Sequence, residues 1–149
     1  MICSFDGPLT LRLAEYRRPT HDFVLRFDTL DCGPEFQRVL AVRFSELVSG
    51  DGTWNSKATV ELGFRAVKAL LRTVPLDRPS DLQASQWNSF LLSMSPSVRS
   101  AYGQSVKAVL RVLPGITESA LHAIETGYVG RSPAEVSGIV LSDAQIETL

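Results

Sequence analysis

Two rows of basic residues at helical spacing are the strongest chemical signal in the sequence. The seven residues recur at intervals of three, four or eight positions within two segments: Lys57, Arg65, Lys68 and Arg72 in one, and Arg99, Lys107 and Arg111 in the other. On a helix such residues lie on one side, where they can neutralise phosphate groups and release counterions. Because the outer face of an amphipathic helix is also often charged, a merely solvated surface is the alternative interpretation.

The basic residues are concentrated in the middle of the chain. The 149 residues carry a formal net charge of −1, and the pI is near 6.1, which argues against an anionic partner. Residues 57–113, however, contain eight basic and three acidic residues, for a local charge of +5, whereas both flanking regions are acidic. The overall charge therefore does not exclude nucleic acid as a ligand.

Residue types that carry out catalysis are scattered. His21 and His122 are isolated from each other, and neither lies near a cysteine or carboxylate at a metal-ligand spacing. Phosphate-binding, dinucleotide-binding and nucleophile-elbow motifs are absent from the sequence. We therefore predict no catalytic, cofactor-binding or metal-binding residue, and no enzymatic activity for this chain alone.

The sequence also bounds the cellular setting. The two cysteines, Cys3 and Cys32, do not form a disulfide framework and are typical of a reducing cytoplasm. The sequence has no apolar run of the roughly 20 residues needed to span a bilayer, and its first residues do not resemble a signal peptide. We expect a cytoplasmic protein with no membrane partner.

The secondary structure that must position these residues changes type along the chain. Apolar residues alternate over 9–13 and 23–27, which predicts a small β-hairpin within residues 1–31. From Pro34 the period becomes helical, although Leu40, Val42 and Phe44 also permit a strand. The best-marked helix begins after Asn55 or Ser56, either of which can cap it, and ends before Pro75. It has a single apolar stripe: Val60, Phe64, Val67, Leu71 and Val74.

Three further helices are predicted before the chain reaches a glycine-containing linker. A short helix containing Trp87 follows a capping box of Ser80 and Gln83, and a longer one begins at Pro96. The longer helix has its own apolar stripe: Val98, Tyr102, Val106, Val109 and Leu113. A third helix is expected over residues 117–126, and a last segment, 141–149, begins with a capping box of Ser142 and Gln145.

The order of these elements resembles the front half of tyrosine recombinases, the phage-integrase family. The matching pieces are Ser56-Lys-Ala-Thr59 through Leu71, Leu82 through Leu91, Pro96 through Leu113, and Leu141-Ser-Asp-Ala-Gln-Ile-Glu-Thr-Leu149. The resemblance covers roughly residues 34–149. It implies a mainly α fold: a compact helical bundle of the SAM-like, core-binding type over residues 34–128, preceded by the β-hairpin. Residues 129–149 would form a linker and the start of a missing catalytic domain.

The resemblance also implies a function for the two basic rows. In this family the core-binding and catalytic domains clamp duplex DNA, so all seven basic residues would face DNA, and the full-length protein would self-associate on it. Cleavage and rejoining would belong to the missing domain, because no His-x-x-Arg element is found here and no tyrosine is assigned as nucleophile. A helical protein-interaction or regulatory domain remains the alternative.

Two departures from the family pattern stand out. Gly63 occupies a position where the first long helix often carries a larger residue, commonly aromatic. Integrases with an N-terminal DNA-arm-binding sheet have three strands, whereas the alternation here predicts two. An arm-binding role for residues 1–31 is therefore not assigned.

Overall fold

The N-terminal residues form a three-stranded antiparallel sheet in the computed structural model, which describes residues 1–16, 18–50 and 53–126. Its strands are β1 (Ile2–Phe5), β2 (Thr10–Glu15) and β3 (Arg18–Arg26), in the order β1-β2-β3. The predicted hairpin is wrong in strand number, because β1 pairs with β2 with Cys3 opposite Leu13. The four residues of β1 are all exposed or half-buried, so the strand has no buried face and no alternation of apolar residues that would predict it.

The two faces of this sheet have opposite character. Leu11, Leu13 and Leu25 are buried on the inner face. On the outer face, Arg12 donates to the carboxylates of Asp6 at 2.9 Å and Asp22 at 2.7 Å. These hydrogen bonds, the Asp6 bond foremost, raise the pKa of the Arg12 guanidinium above its ordinary value. The outer face is therefore polar, and the inner face must pack on the helices.

Five α-helices follow in the part of the chain up to Thr126 that the structure describes, so the prediction of a mainly helical chain with an N-terminal β element is confirmed. They are α1 (Pro34–Ser45), α2 (Lys57–Thr73), α3 (Ala84–Leu92), α4 (Pro96–Leu110) and α5 (Glu118–Thr126). The helical interpretation of the Pro34 segment is confirmed over the strand alternative. After Ser45 the chain continues into a π-helical turn over Glu46–Gly50.

The helix starts follow ordinary capping chemistry. The Ser56 hydroxyl accepts a hydrogen bond from the Thr59 backbone N–H at 3.2 Å, as predicted for the start of α2. The predicted capping box of Ser80 and Gln83 is wrong, because Pro79–Asp81 forms a separate 3₁₀ turn and α3 begins at Ala84. There the Gln86 side chain accepts from the Gln83 backbone N–H at 2.8 Å. A capping box therefore does precede α3, but it is formed by Gln83 and Gln86, three residues later than the predicted pair.

Sheet and helices share one hydrophobic core. Phe27, directly after β3, has its ring centroid 5.1 Å from that of Phe44 on α1 and 5.3 Å from that of Phe64 on α2. Trp54 also belongs to this aromatic cluster, because its ring centroid lies 5.2 Å from that of Phe44. Edge-to-face contacts of this kind stabilise beyond the area that they bury. Among the described residues, those of the sheet and those of the helices thus belong to one cluster of buried side chains.

The described part of the chain ends at Thr126, with α5. The predicted linker and catalytic-domain start at 129–149, including the Ser142 and Gln145 capping box, lie outside the described residues. Among the residues that are described, no helix is long and apolar enough to cross a membrane.

Candidate nucleic-acid interface

The outer face of α2 carries four cations, with Glu61 among them. Lys57, Arg65 and Arg72 are exposed and Lys68 is half-buried. At 100° per residue, these four positions fall within an arc of about 80°. The buried residues of α2, which include Val60, occupy the opposite side of the helix. The structure therefore brings together all four basic residues predicted in this segment, and we call them the α2 row.

Packing at the start of α2 orients the first cation of this row. The Lys57 ammonium lies 5.3 Å from the centroid of the Phe23 ring on β3, a cation–π distance. The Lys57 backbone N–H also donates to the Glu15 carboxylate at 3.3 Å, at the helix terminus where a negative charge is favourable. The sheet thus docks against the first turn of α2. Glu61 lies within the row, so the row is positive without being purely basic.

The structure corrects the prediction for Arg99 on α4. Its side chain is 1% exposed, so it does not face a ligand. Its Nε donates to the Leu91 carbonyl at 2.7 Å and its Nη2 to the Met94 carbonyl at 2.9 Å. These carbonyls lie at the end of α3, where helical partners run out. Arg99 therefore joins α4 to α3.

The buried face of α4 is not the one predicted, and Arg99 lies on the face that is buried. The predicted apolar stripe included Val98, which is 40% exposed, while Arg99 and Gly103 lie on the buried side with Val106 and Leu110. A short connection without glycine separates α3 from α4, so an arginine at the start of α4 is within reach of carbonyls that need donors. The short connection is thus the feature of the sequence from which the role of Arg99, hydrogen bonding to the carbonyls near the end of α3, could have been predicted.

The remaining α4 cations lie beside the buried face. Lys107 is half-buried and Arg111, just after α4, is exposed. The Arg111 Nε lies 3.4 Å from the Glu125 carboxylate of α5, and both side chains are substantially exposed. An exposed ion pair of this kind contributes little to stability and exchanges readily for another anion. Arg111 is thus available to a phosphate only when it leaves Glu125.

Arg26 was not predicted as a site residue, although it lies close to the α2 row. It is exposed at the end of β3 and lines an open groove together with Arg65 of α2. The alternation of Phe23, Leu25 and Phe27 places Arg26 on the outer side of the strand, so the strand pattern already contained the signal. Arg26 lies on a strand, so helical spacing, on which the site prediction was based, does not reveal it.

Cys32 is a half-buried free cysteine. Burial raises the pKa of the Cys32 thiol to about 11, with smaller contributions from Asp31 and Asp77. A thiol with this pKa is protonated at neutral pH and therefore a poor nucleophile. Within residues 1–16, 18–50 and 53–126, no three His, Cys, Asp or Glu side chains are grouped as metal ligands would be.

Comparison with known proteins identifies no relative of this chain. No family model matches the chain, and neither a search of curated proteins nor a search of solved structures finds a match. The described fold and its charged faces define the class of protein on their own: a mainly helical protein with an N-terminal antiparallel sheet and a basic outer helix face. Any function is therefore inferred from the site.

Proposed function

We propose that this protein binds duplex DNA through the α2 row, as the core-binding region of a tyrosine-type site-specific recombinase. The observation that carries the proposal is the alignment of Lys57, Arg65, Lys68 and Arg72 on the outer face of one helix. Duplex DNA is the phosphate-rich ligand whose regular charge a straight row of cations fits.

The dimensions of the row support contact with several phosphates at once. From Lys57 to Arg72 the helix rises about 22 Å. Over that length a duplex presents on the order of ten charges, counting both strands. Four phosphate contacts give an expected slope of about −3.6 for log K against log salt, and hence roughly 100-fold weaker binding on going from about 50 to 200 mM salt. Such contacts position the protein without reading sequence.

Lys107 and Arg111 belong to the proposed interface as secondary contacts. Lys107 is half-buried, and Arg111 must exchange Glu125 for a phosphate. Arg99 is withdrawn from the proposal because its guanidinium is buried. The proposed DNA contacts are therefore six residues, of which the four of the α2 row contribute most.

The assignment to a recombinase rests on the order of elements from Pro34 onward. Gly63 stands where the family often has an aromatic residue. In this chain the ring of Trp54, from the loop before α2, occupies the space beside Gly63. The compact core-binding arrangement, self-association on DNA and strand cleavage by a further domain remain parts of this proposal.

The test is a fluorescence-anisotropy titration of the full chain with a labelled duplex at two salt concentrations. The test variant replaces Lys68 and Arg72 with alanine. The matched control replaces Arg38 and Arg78, two exposed cations outside the row. We expect the test variant to lose about two units of salt slope and the control to match the wild type.

Two results would overturn this proposal. One is the absence of binding by the wild type at low salt. The other is equal weakening by the test and control variants, which would indicate nonspecific attraction to any exposed cation. A further variant, Lys107→Ala with Arg111→Ala, measures the smaller α4 contribution. Thermal unfolding of each variant establishes that the fold is retained, as exposed substitutions usually allow.

A further inference from the structure

An open groove runs between the edge of β3 and helix α2. Its volume is about 440 Å³, within the range of roughly 300–1,000 Å³ that is typical of binding pockets. The residues that line it come from the end of β3, the turn after it and the second and third turns of α2: Val24, Leu25, Arg26, Thr29, Glu61, Phe64 and Arg65. One wall is thus a strand edge and the other is a helix.

The strand wall presents unpaired backbone groups to the groove. The Phe27 N–H donates to the Leu9 carbonyl at 2.8 Å, and the β2–β3 register pairs Leu11 with Leu25. In an antiparallel pair, hydrogen-bonded and non-bonded positions alternate, so the backbone groups of Val24 and Arg26 point away from β2. In the described part of the chain, no strand pairs with this edge of β3. The Arg26 carbonyl is occupied, since it accepts from the Thr29 hydroxyl at 2.6 Å at the start of the 3₁₀ turn Phe27–Thr29. The groups that this stretch offers to a further strand are therefore the N–H and carbonyl of Val24 and the N–H of Arg26.

The side chains of the groove favour an acidic ligand with apolar side chains. Arg26 and Arg65 are exposed at its rim, while Glu61 is half-buried beside Arg65, which leaves a net positive charge. Phe64 is half-buried and provides an apolar wall. Free strand edges bind extended peptides by main-chain hydrogen bonds, with specificity from alternate side chains.

We propose that this groove binds an extended acidic peptide of a partner protein, which adds as a fourth strand to the β3 edge. Its backbone pairs with the N–H and carbonyl of Val24 and with the N–H of Arg26, and its carboxylates lie beside the guanidinium groups of Arg26 and Arg65. A DNA phosphate can accept from a backbone N–H but has no donor for the Val24 carbonyl, whereas a peptide strand supplies both. The proposal therefore goes beyond DNA binding and shares only Arg65 with the α2 row.

The probe is a labelled, end-capped peptide, Val-Glu-Val-Glu-Val, titrated against the full chain by fluorescence anisotropy. Two N-methylated versions carry methyl groups on one or the other alternate set of amides. Since alternate amides of a strand face opposite sides, one version should bind about tenfold or more weakly and the other should bind like the parent peptide. The lysine analogue Val-Lys-Val-Lys-Val should also bind at least about tenfold more weakly.

Protein variants separate this proposal from DNA binding. Arg26→Ala should weaken the peptide by about tenfold or more and lower the DNA salt slope by at most about one, whereas Lys68→Ala with Arg72→Ala should lower that slope by about two and leave the peptide unchanged. Arg38→Ala is the control for loss of one exposed positive charge.

Three outcomes would overturn the proposal. The first is no peptide binding at a concentration of about 1 mM, a weak limit for a specific site. The second is equal binding by both N-methylated peptides, which would leave charge alone as the attraction. The third is dimerisation of the chain in sedimentation experiments that Arg26→Ala abolishes, because a second copy would then occupy the edge.

Discussion

The Arg99 guanidinium binds the carbonyls of Leu91 and Met94 inside the protein, although its spacing with Lys107 and Arg111 is that of a surface row. Its planar group of donors can serve several acceptors from one buried position. A cation recognised only by its helical spacing can therefore be structural. Burial decides between the two roles.

We predict that Arg99→Ala lowers the free energy of unfolding by about 2–4 kcal/mol, because buried carbonyls lose charge-assisted hydrogen bonds. Arg99→Lys should also be destabilised, since an ammonium lacks the planar fork. Urea denaturation followed by tryptophan fluorescence measures both effects.

The matched control for Arg99 is Arg72→Ala, which removes an exposed cation of the α2 row. Its stability should change by less than about 0.5 kcal/mol, while its DNA salt slope falls by about one. The expectation for Arg99→Ala is the reverse: lower stability and an unchanged slope. A stable Arg99→Ala protein with a reduced salt slope would show that Arg99 reaches DNA.

At the scale of elements, α2 depends on a close approach between Gly63 and the Trp54 ring. A Cβ at Gly63 would lie 2.4 Å from the nearest atom of that ring. Trp54 is itself buried and packs against Phe44, so it cannot easily move aside. A glycine is therefore needed inside helix α2, because the Trp54 ring of the preceding loop packs where a Cβ of residue 63 would lie.

We predict that Gly63→Ala destabilises the protein. Alanine improves helix formation by roughly 0.5–1 kcal/mol, but overpacking typically costs about 1–3 kcal/mol. In a Trp54→Leu background the overlap is absent, so the same substitution should become neutral or stabilising. A double-mutant cycle measured by thermal unfolding checks this coupling. Stabilisation by Gly63→Ala in the wild-type background would contradict it.

The elements were predictable from sequence where one pattern dominated the segment. The stripe of α2 identified Val60 and Val67 as buried, while residue type left Asn55 and Ser56 as possible caps, of which Ser56 is the one observed. The inner face of α4 could not be identified in this way, because Val98 fits an apolar stripe and yet Arg99 is the residue that finds buried acceptors.

Long-range pairing limited the prediction elsewhere. β1 is recognisable only through its partner β2, because its own burial pattern has no alternation. The position of Trp54 against Gly63 likewise depends on how a loop folds back onto a helix. For the candidate site, four cations on α2 were found from spacing, whereas Arg26 required knowledge that β3 lies beside α2.

On the scale of the whole molecule, the sheet and the helices should unfold together, because the core is continuous from Leu13 on β2 to Phe64 on α2. We predict that Leu13→Ala costs about 2–5 kcal/mol, as is typical of a buried leucine. Far-UV circular dichroism and tryptophan fluorescence should report a single coincident transition.

The neighbouring residue provides the control for Leu13. Arg12 points to the outer face of the same strand, so Arg12→Ala removes two exposed ion pairs and should change stability little. Two separate transitions in Leu13→Ala, with the helices unaffected, would show that residues 1–31 form an independent unit.

The meander order of the sheet has a consequence for the rate of folding. Each strand pairs with its neighbour in sequence, so closing these short loops costs little entropy and the sheet can form early. Its inner face is nevertheless covered only when Phe44 and Phe64 reach Phe27. Substitutions in this aromatic group should therefore slow folding, whereas loss of the Arg12 ion pairs should leave the rate almost unchanged.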